Sequence, residues 1–215
     1  FDIEGMDAAH KIGILSSIAI GTSLPPNDFY VEGIKDIDST DFKYASKLGF
    51  SIKHLAVASL TENEVQLRAH PVLVSSDSYL AGLKGVRNGI EVETDLVGTL
   101  HVAGSGAGQE STASGLISDL VYLSNVSSNS SINLNKRIKM NIQPIDEMEF
   151  KYFFKIKTLS KDMNLNKIEK IFQKNQVSIS AENFDDFYIV IISESFIENK
   201  KDSIMASLNN LSEVA

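Results

Sequence analysis

Between Ser124 and Asn135 the sequence turns abruptly to serine and asparagine, with Ser127-Ser-Asn-Ser-Ser131 at the centre of the run. Such a stretch offers almost nothing to bury and reads as a linker or surface loop. It divides the 215 residues into a first unit over 1–123, a linker over 124–146 and a second unit over 147–215. With 43% hydrophobic and 22% charged residues, the chain has the composition of folded protein.

In the first unit, residues 2–20 place Met6, Ile12, Ile14, Leu15, Ile18 and Ala19 at mixed intervals of three and four, the pattern of a helix with one buried face. Gly21 and Pro25-Pro26 stop it. A short apolar piece at Tyr30 and Val31 precedes a second predicted helix, Asp38 to Leu48, which Gly49 ends. Ile52–Leu60 and Val65–Val74 are strand-like, and the intervening Thr61-Glu-Asn-Glu64 makes them a candidate hairpin. Proline cannot donate to a ladder, so His70-Pro71 is expected near a strand edge. Strand character resumes over Gly89–Ala103. The turn Gly104-Ser-Gly-Ala-Gly108 then leads into a helix over Ser111–Leu123 with Ala113, Leu116, Ile117, Leu120 and Val121 on one face. A β-sheet with helices on one side is the economical arrangement.

The second unit alternates Phe150, Tyr152, Phe154 and Ile156 as in a strand, then places Leu165, Ile168, Ile171 and Phe172 on one helical face. Val177, Ile179 and Ala181 alternate, Phe187–Ile192 is a nearly continuous apolar strand, and Ser203–Leu211 returns to helical spacing. The order βαββα lacks one strand of a ferredoxin-like βαββαβ unit. The whole chain is therefore expected to be α+β.

A formal charge of −8 and a pI of about 5.0 leave no positive field to draw in nucleic acid or anionic lipid. The longest apolar stretch, Ile12–Ile20, is interrupted by Gly13, Ser16 and Ser17 and falls short of a membrane span. The chain has no cysteine, hence neither disulfide nor thiolate, which fits a cytoplasmic location. The four histidines stand at no ligand spacing, and no metal is expected.

Asp7 and Lys11 are four apart and share a helix face. On an arbitrary helix this is an exposed ion pair with the acid favoured by the dipole. Here Ile12-Gly-Ile-Leu15 follows, so Lys11 is expected against the buried section, where a lysine's pKa falls towards about 7 or 8 and it can exchange protons with a substrate hydroxyl. The glycine turn at 104–108 has neither the GxGxxG spacing nor the lysine of a P-loop, and by itself could be a tight connection.

The run Asp2-Ile-Glu-Gly-Met-Asp-Ala-Ala-His-Lys11 resembles the signature of homoserine dehydrogenases, with Asp2, Gly5, Asp7 and Lys11 in its fixed positions. The resemblance continues through Glu32-Gly-Ile34, Leu48-Gly49, Arg68-Ala-His-Pro71 and Gly104 to Asp119, nearly all of residues 1–123. It implies that Lys11 transfers a proton between homoserine and aspartate semialdehyde and that Asp2 and Asp7 hold the substrate amino group. It also implies that Gly106, Ala107, Gly108 and Thr112 lie close to an NAD or NADP cofactor held mainly by an N-terminal Rossmann domain. That domain is expected upstream of Phe1, so the chain is expected to be a C-terminal piece, silent on its own, that forms a homodimer. Arg68 and His70 read as features of the sheet rather than as catalytic groups. The second unit resembles an ACT domain, with threonine the expected effector. Its usual Pro-Gly turn is replaced by Lys161-Asp-Met-Asn-Leu165, which puts effector binding in doubt. The competing reading is a dimerising, amino-acid-sensing module in which Asp7 and Lys11 are ordinary surface charges. A third is a related oxidoreductase acting on another amino-acid aldehyde.

Overall fold

The structure is a computed structural model and describes residues 2–24, 29–61, 64–126, 140–159, 165–185, 187–211 and 214. Helix α1 (Met6–Ile20) starts at the first residue of its apolar pattern rather than at residue 2, because Gly5 is left-handed at φ 81° and residues 2–5 form a turn. Gly21 closes it, also left-handed, donating its N–H to the Ser17 carbonyl. Strand β1 (Tyr30–Val31) follows, then α2 (Ser39–Lys47). Asp38 caps α2 in a capping box, its carboxylate accepting from the Thr40 and Asp41 amides while Asp41 accepts from the Asp38 amide.

Strands β2 (Phe50–Leu60) and β3 (Glu64–Ser75) form the predicted hairpin, registered from Leu60 opposite Val65 to Phe50 opposite Ser75. β1 pairs parallel with β3, and Glu32 donates to the Ala69 carbonyl beyond it. Alternation then directs Pro71 to that same side, past the end of β1, where no ladder bond is required of it. The expectation of an edge position is thus met within a strand that is central elsewhere. Val65, Leu67 and Ala69 are fully buried and α1 packs on β2 and β3, with Leu24, Ile12, Ile20 and Phe29 closing this core. α2 packs on β2.

The expectation of one sheet backed by helices needs correction. β4 (Arg87–Thr94) and β5 (Gly98–Ser105) form a hairpin that, among the described residues, pairs only with itself. Helix α3 (Gln109–Asn125) forms as predicted, yet none of its residues is buried; Leu116, Ile117, Leu120 and Val121 are 55–66% exposed. Periodicity reports that a face is apolar; it cannot report whether the same chain covers it.

Most of the serine and asparagine tract lies outside the described residues. After it, β6 (Asn141–Ile142) adds parallel to β3, and Gln66 donates its side-chain amide to Gln143 at 2.7 Å. The alternating run predicted from Phe150 to Ile156 is split: β7 (Glu149–Phe150) leaves to pair later in the chain, and β8 (Phe153–Lys157) joins a second sheet. There α4 (Leu165–Lys174), β9 (Ile179–Asp185), β10 (Tyr188–Ser193), β11 (Phe196–Ile197) and α5 (Lys201–Asn209) follow, with β11 pairing β7. The sheet is antiparallel in the order β8-β10-β9, and Thr158 bridges antiparallel to Val214. Its core, separate from the first, is Phe154, Ile156, Ile168, Phe172, Val177, Ile189, Ile191, Phe196, Ile204 and Leu208. The turn at 161–164 is outside the described residues.

Charge and aromatic contacts join the two units. Lys155 on β8 reaches Asp38 at 2.8 Å and Asp41 at 2.9 Å at the start of α2, and Tyr44 packs on Tyr188. On the other strand pair, the Arg68 guanidinium lies 5.2 Å from the Phe150 ring centre, and His70 meets the same ring edge-on. Burial depresses the His70 imidazole pKa below its ordinary value, as it does the Arg68 guanidinium.

Candidate active site

The N-terminal turn of α1 concentrates the candidate acid–base chemistry. Lys11 Nζ donates to Asp7 Oδ2 at 2.6 Å, the i,i+4 pair expected from the spacing. Its surroundings differ from expectation. Ala9, Ser16 and Ser17 define the buried face of α1, and at 100° per residue Lys11 lies roughly 200° round the helix from Ala9. Lys11 and Asp7 are therefore 60% and 44% exposed, not pressed against the sheet. They share the outer face with Ile14, Leu15 and Ile18, all exposed. The apolar neighbourhood read from the sequence is real, but this chain leaves it uncovered.

Asp2 is exposed and its carbonyl accepts the Gly5 N–H, closing the turn that precedes α1. The structure brings Asp7 and Lys11 into contact; Asp2 stands at the same end of the helix without being hydrogen-bonded to either. Around them are groups that the motif alone did not single out. Glu4 pairs with Lys35 at 2.7 Å, and that hydrogen bond holds the Glu4 carboxyl below its ordinary range. Tyr30 donates its hydroxyl to Glu32, and burial, reinforced by that bond, pushes the phenol pKa well up. His54, on β2, approaches the Glu32 carbonyl. The signals that could have pointed here were Gly5 and Gly33, each filling a place where no side chain fits.

The glycine turn is separate in its hydrogen bonding. Gly106 spends its N–H on the Val86 carbonyl at 2.8 Å, and a Cβ there would stand 2.0 Å from Asn88 Nδ2. Gly108, at φ 120°, accepts at its carbonyl from the Thr112 N–H and hydroxyl and from the Ser111 hydroxyl. No side chain caps α3, so its first amides are directed outwards at the end of the turn. Glu110 in that first turn opposes a pyrophosphate, while an uncapped row of amides suits a neutral carboxamide or other polar edge. Gly106, Ala107, Gly108 and Thr112 thus stand at the turn into α3 and in its first turn, with the Gly106 and Thr112 N–H groups already paired within the chain. No cluster of three or more His, Cys, Asp or Glu suited to a metal occurs among the described residues, and no helix of the described residues is long and apolar enough to cross a membrane.

Comparison with known proteins gives the family. The family model for homoserine dehydrogenase matches residues 1–121, from the turn before α1 to near the end of α3. The chain belongs to the homoserine dehydrogenase family. A homoserine dehydrogenase of Pseudomonas aeruginosa is 34% identical over 230 residues, taking in 100% of this chain and 53% of that protein. One from Neisseria gonorrhoeae is 32% identical, over 98% of this chain and 52% of its own length. The crystal structure of a homoserine dehydrogenase from Thiobacillus denitrificans superposes with a TM-score of 0.86 at 30% identity, covering 100% of this chain and 52% of that one. Thus both units, and not the first alone, have counterparts in that structure. The chain spans about half the length of the relatives it matches.

Proposed function

We propose that this chain is the substrate-binding and C-terminal part of an NAD- or NADP-dependent homoserine dehydrogenase, interconverting L-homoserine and L-aspartate 4-semialdehyde in threonine, methionine and isoleucine biosynthesis. The observation that carries the reading is the Asp7–Lys11 pair, set on an outer helix face next to exposed apolar residues in a chain of this family. Covering that face would place the ammonium in a drier site, where charge interactions strengthen.

In the oxidative direction the homoserine hydroxyl loses its proton to the Lys11 amine; in the reductive direction the Lys11 ammonium returns it to the aldehyde oxygen. The carboxylate of Asp7, one turn earlier, accepts from the substrate ammonium, and Asp2 at the same end of the helix adds a second carboxylate. When bound, the nicotinamide supplies or takes the hydride. Gly106, Ala107, Gly108 and Thr112 border it, its main grip belonging to a nucleotide-binding domain outside residues 1–215.

The second unit is read as an ACT-type domain. The β8-α4-β9-β10-α5 order and the sheet order β8-β10-β9, with Val214 beside the end of β8, support a ferredoxin-like unit. Threonine is its proposed effector, a homodimer the proposed assembly and the cytoplasm the proposed location.

The test is Lys11→Ala and Asp7→Ala in the full-length enzyme, with folding checked by circular dichroism. Loss of the acid–base group lowers kcat by about 10² to 10⁴-fold, and loss of Asp7 raises KM for homoserine more than it lowers kcat. A folded Lys11→Ala enzyme with normal kcat would return the pair to an ordinary surface ion pair. Titration of the same enzyme with threonine tests the effector, and absence of both binding heat and inhibition would reduce the second unit to a structural one.

A further inference from the structure

The turn that launches α1 is held in a close-fitting clamp. A Cβ on Gly5 would stand 2.8 Å from His54 Nε2 and 3.2 Å from the Glu32 carbonyl oxygen. A Cβ on Gly33 would stand 2.4 Å from the Ile3 carbonyl oxygen and 2.9 Å from the Glu4 Cα. The Ile34 N–H donates to that same Ile3 carbonyl at 2.9 Å. Residues 3–5 therefore lie against the His54 ring and the 32–34 segment, with no room for a Cβ at Gly5 or at Gly33.

His54 also ties down the 32–34 segment. Its Nε2 lies 2.8 Å from the Glu32 carbonyl oxygen, and since a carbonyl only accepts, Nε2 carries the proton and donates. The Glu32 N–H donates in turn to the Ala69 carbonyl at 2.8 Å. Glu32 is thus tied to β3 through its amide and to β2 through its carbonyl. Gly5 rests on the bond between His54 and Glu32, and Asp7 follows two residues later.

We propose that His54 is a positioning residue for the Asp7–Lys11 pair: by holding Glu32 and seating Gly5, its ring sets where the first turn of α1 stands relative to the sheet. The inference rests on the catalytic reading of that pair given above. A turn released from the clamp moves Asp7 most, because it lies nearest the released end, and Lys11 less, because buried Ala9 anchors α1 between the two and Ser16 and Ser17 anchor it beyond Lys11. The defect therefore falls on substrate positioning.

The experiment compares His54→Leu with His54→Gln in the full-length enzyme. Leucine fills much of the space without a donor, whereas the glutamine amide can donate from near the position of Nε2. Leucine is expected to raise KM for homoserine about tenfold, the scale of one lost and unreplaced hydrogen bond, with kcat within about threefold and cofactor KM unchanged; glutamine restores most of the loss. A homoserine KM unchanged in His54→Leu overturns the proposal, and so does a glutamine variant as impaired as the leucine one, or a parallel rise in cofactor KM. Should His54→Leu fail to fold, His54→Asn replaces it, its amide too short to reach Glu32, with the same criteria. Lys11→Ala in the same assay separates the two levels. Unchanged kcat there removes the catalytic reading and this inference with it. Lost kcat there, with normal homoserine KM in the donor-less His54 variant, removes the role of His54 alone.

Discussion

Removing Lys155 should loosen the second unit from the first, and the size of the effect can be worked from the structure. Its Nζ reaches Asp38, Asp41 and the Thr40 hydroxyl at 2.8, 2.9 and 3.0 Å. The Lys155 side chain is 19% exposed and Asp41 only 9%, so deleting the ammonium leaves the Asp41 carboxylate largely buried with the Asp38 amide as its remaining donor. Breaking a fully buried pair from one side costs about 3–5 kcal/mol; scaled for residual exposure, Lys155→Met should cost about 2 kcal/mol. Methionine keeps much of the stem beside Tyr188. Asp41→Asn keeps an acceptor for the Asp38 amide, so the capping box survives. Chemical denaturation of the parent, both single variants and the double variant, followed by circular dichroism, gives the coupling directly. It should be about 1–2 kcal/mol. Additivity within about 0.5 kcal/mol would refute the argument that the pair, rather than general packing at the seam, holds the units together.

Three further outcomes follow from the same geometry. The Lys155 hydrogen bond holds the Asp38 carboxyl well below its ordinary range; a depressed carboxylate contributes above its unfolded pKa near 3.8 and loses that contribution as pH falls through the folded value. Burial alone would lower Lys155, but its bonds to Asp38 and Asp41 outweigh this and raise it, so its contribution is lost only as pH rises through that higher value. The stability gap between parent and Lys155→Met should therefore be flat through neutral pH and close at both extremes, and a gap that closes near pH 7 would contradict the assignment. Gly33→Ala, with its Cβ 2.4 Å from the Ile3 carbonyl oxygen, should cost about 2 kcal/mol and lower Tm by about 4–8 °C; an unchanged Tm would mean that the clamp has slack. Leu116→Glu with Leu120→Glu should leave stability within about 0.5 kcal/mol, since both residues are exposed, while reducing binding of an apolar dye; a large stability loss would mean that this face is covered by the chain itself.

By itself the sequence placed the longer helices and strands, but not β6, β11, the turn between β4 and β5 or the break between β7 and β8. The β2–β3 hairpin, α2 with its Asp38 cap, α4 and α5 follow from apolar period, caps and turn residues, all of which act within a few positions of one another. The Asp7–Lys11 contact was legible for the same reason, because helix geometry alone brings residues four apart together. Only the tertiary structure decided which way that pair faces: apolar residues lie on both sides of α1, and the choice of buried side depends on what β2 and β3 offer it. The same holds for α3 and the β4–β5 hairpin, whose apolar faces the sequence declares and the fold leaves exposed. It holds most for His54 and Lys155, 22 residues from Glu32 and 117 from Asp38 along the chain. Nothing in local spacing links such residues. Their contacts exist because two sheets and the segment at 32–38 meet in space, and that meeting is a property of packing rather than of pattern.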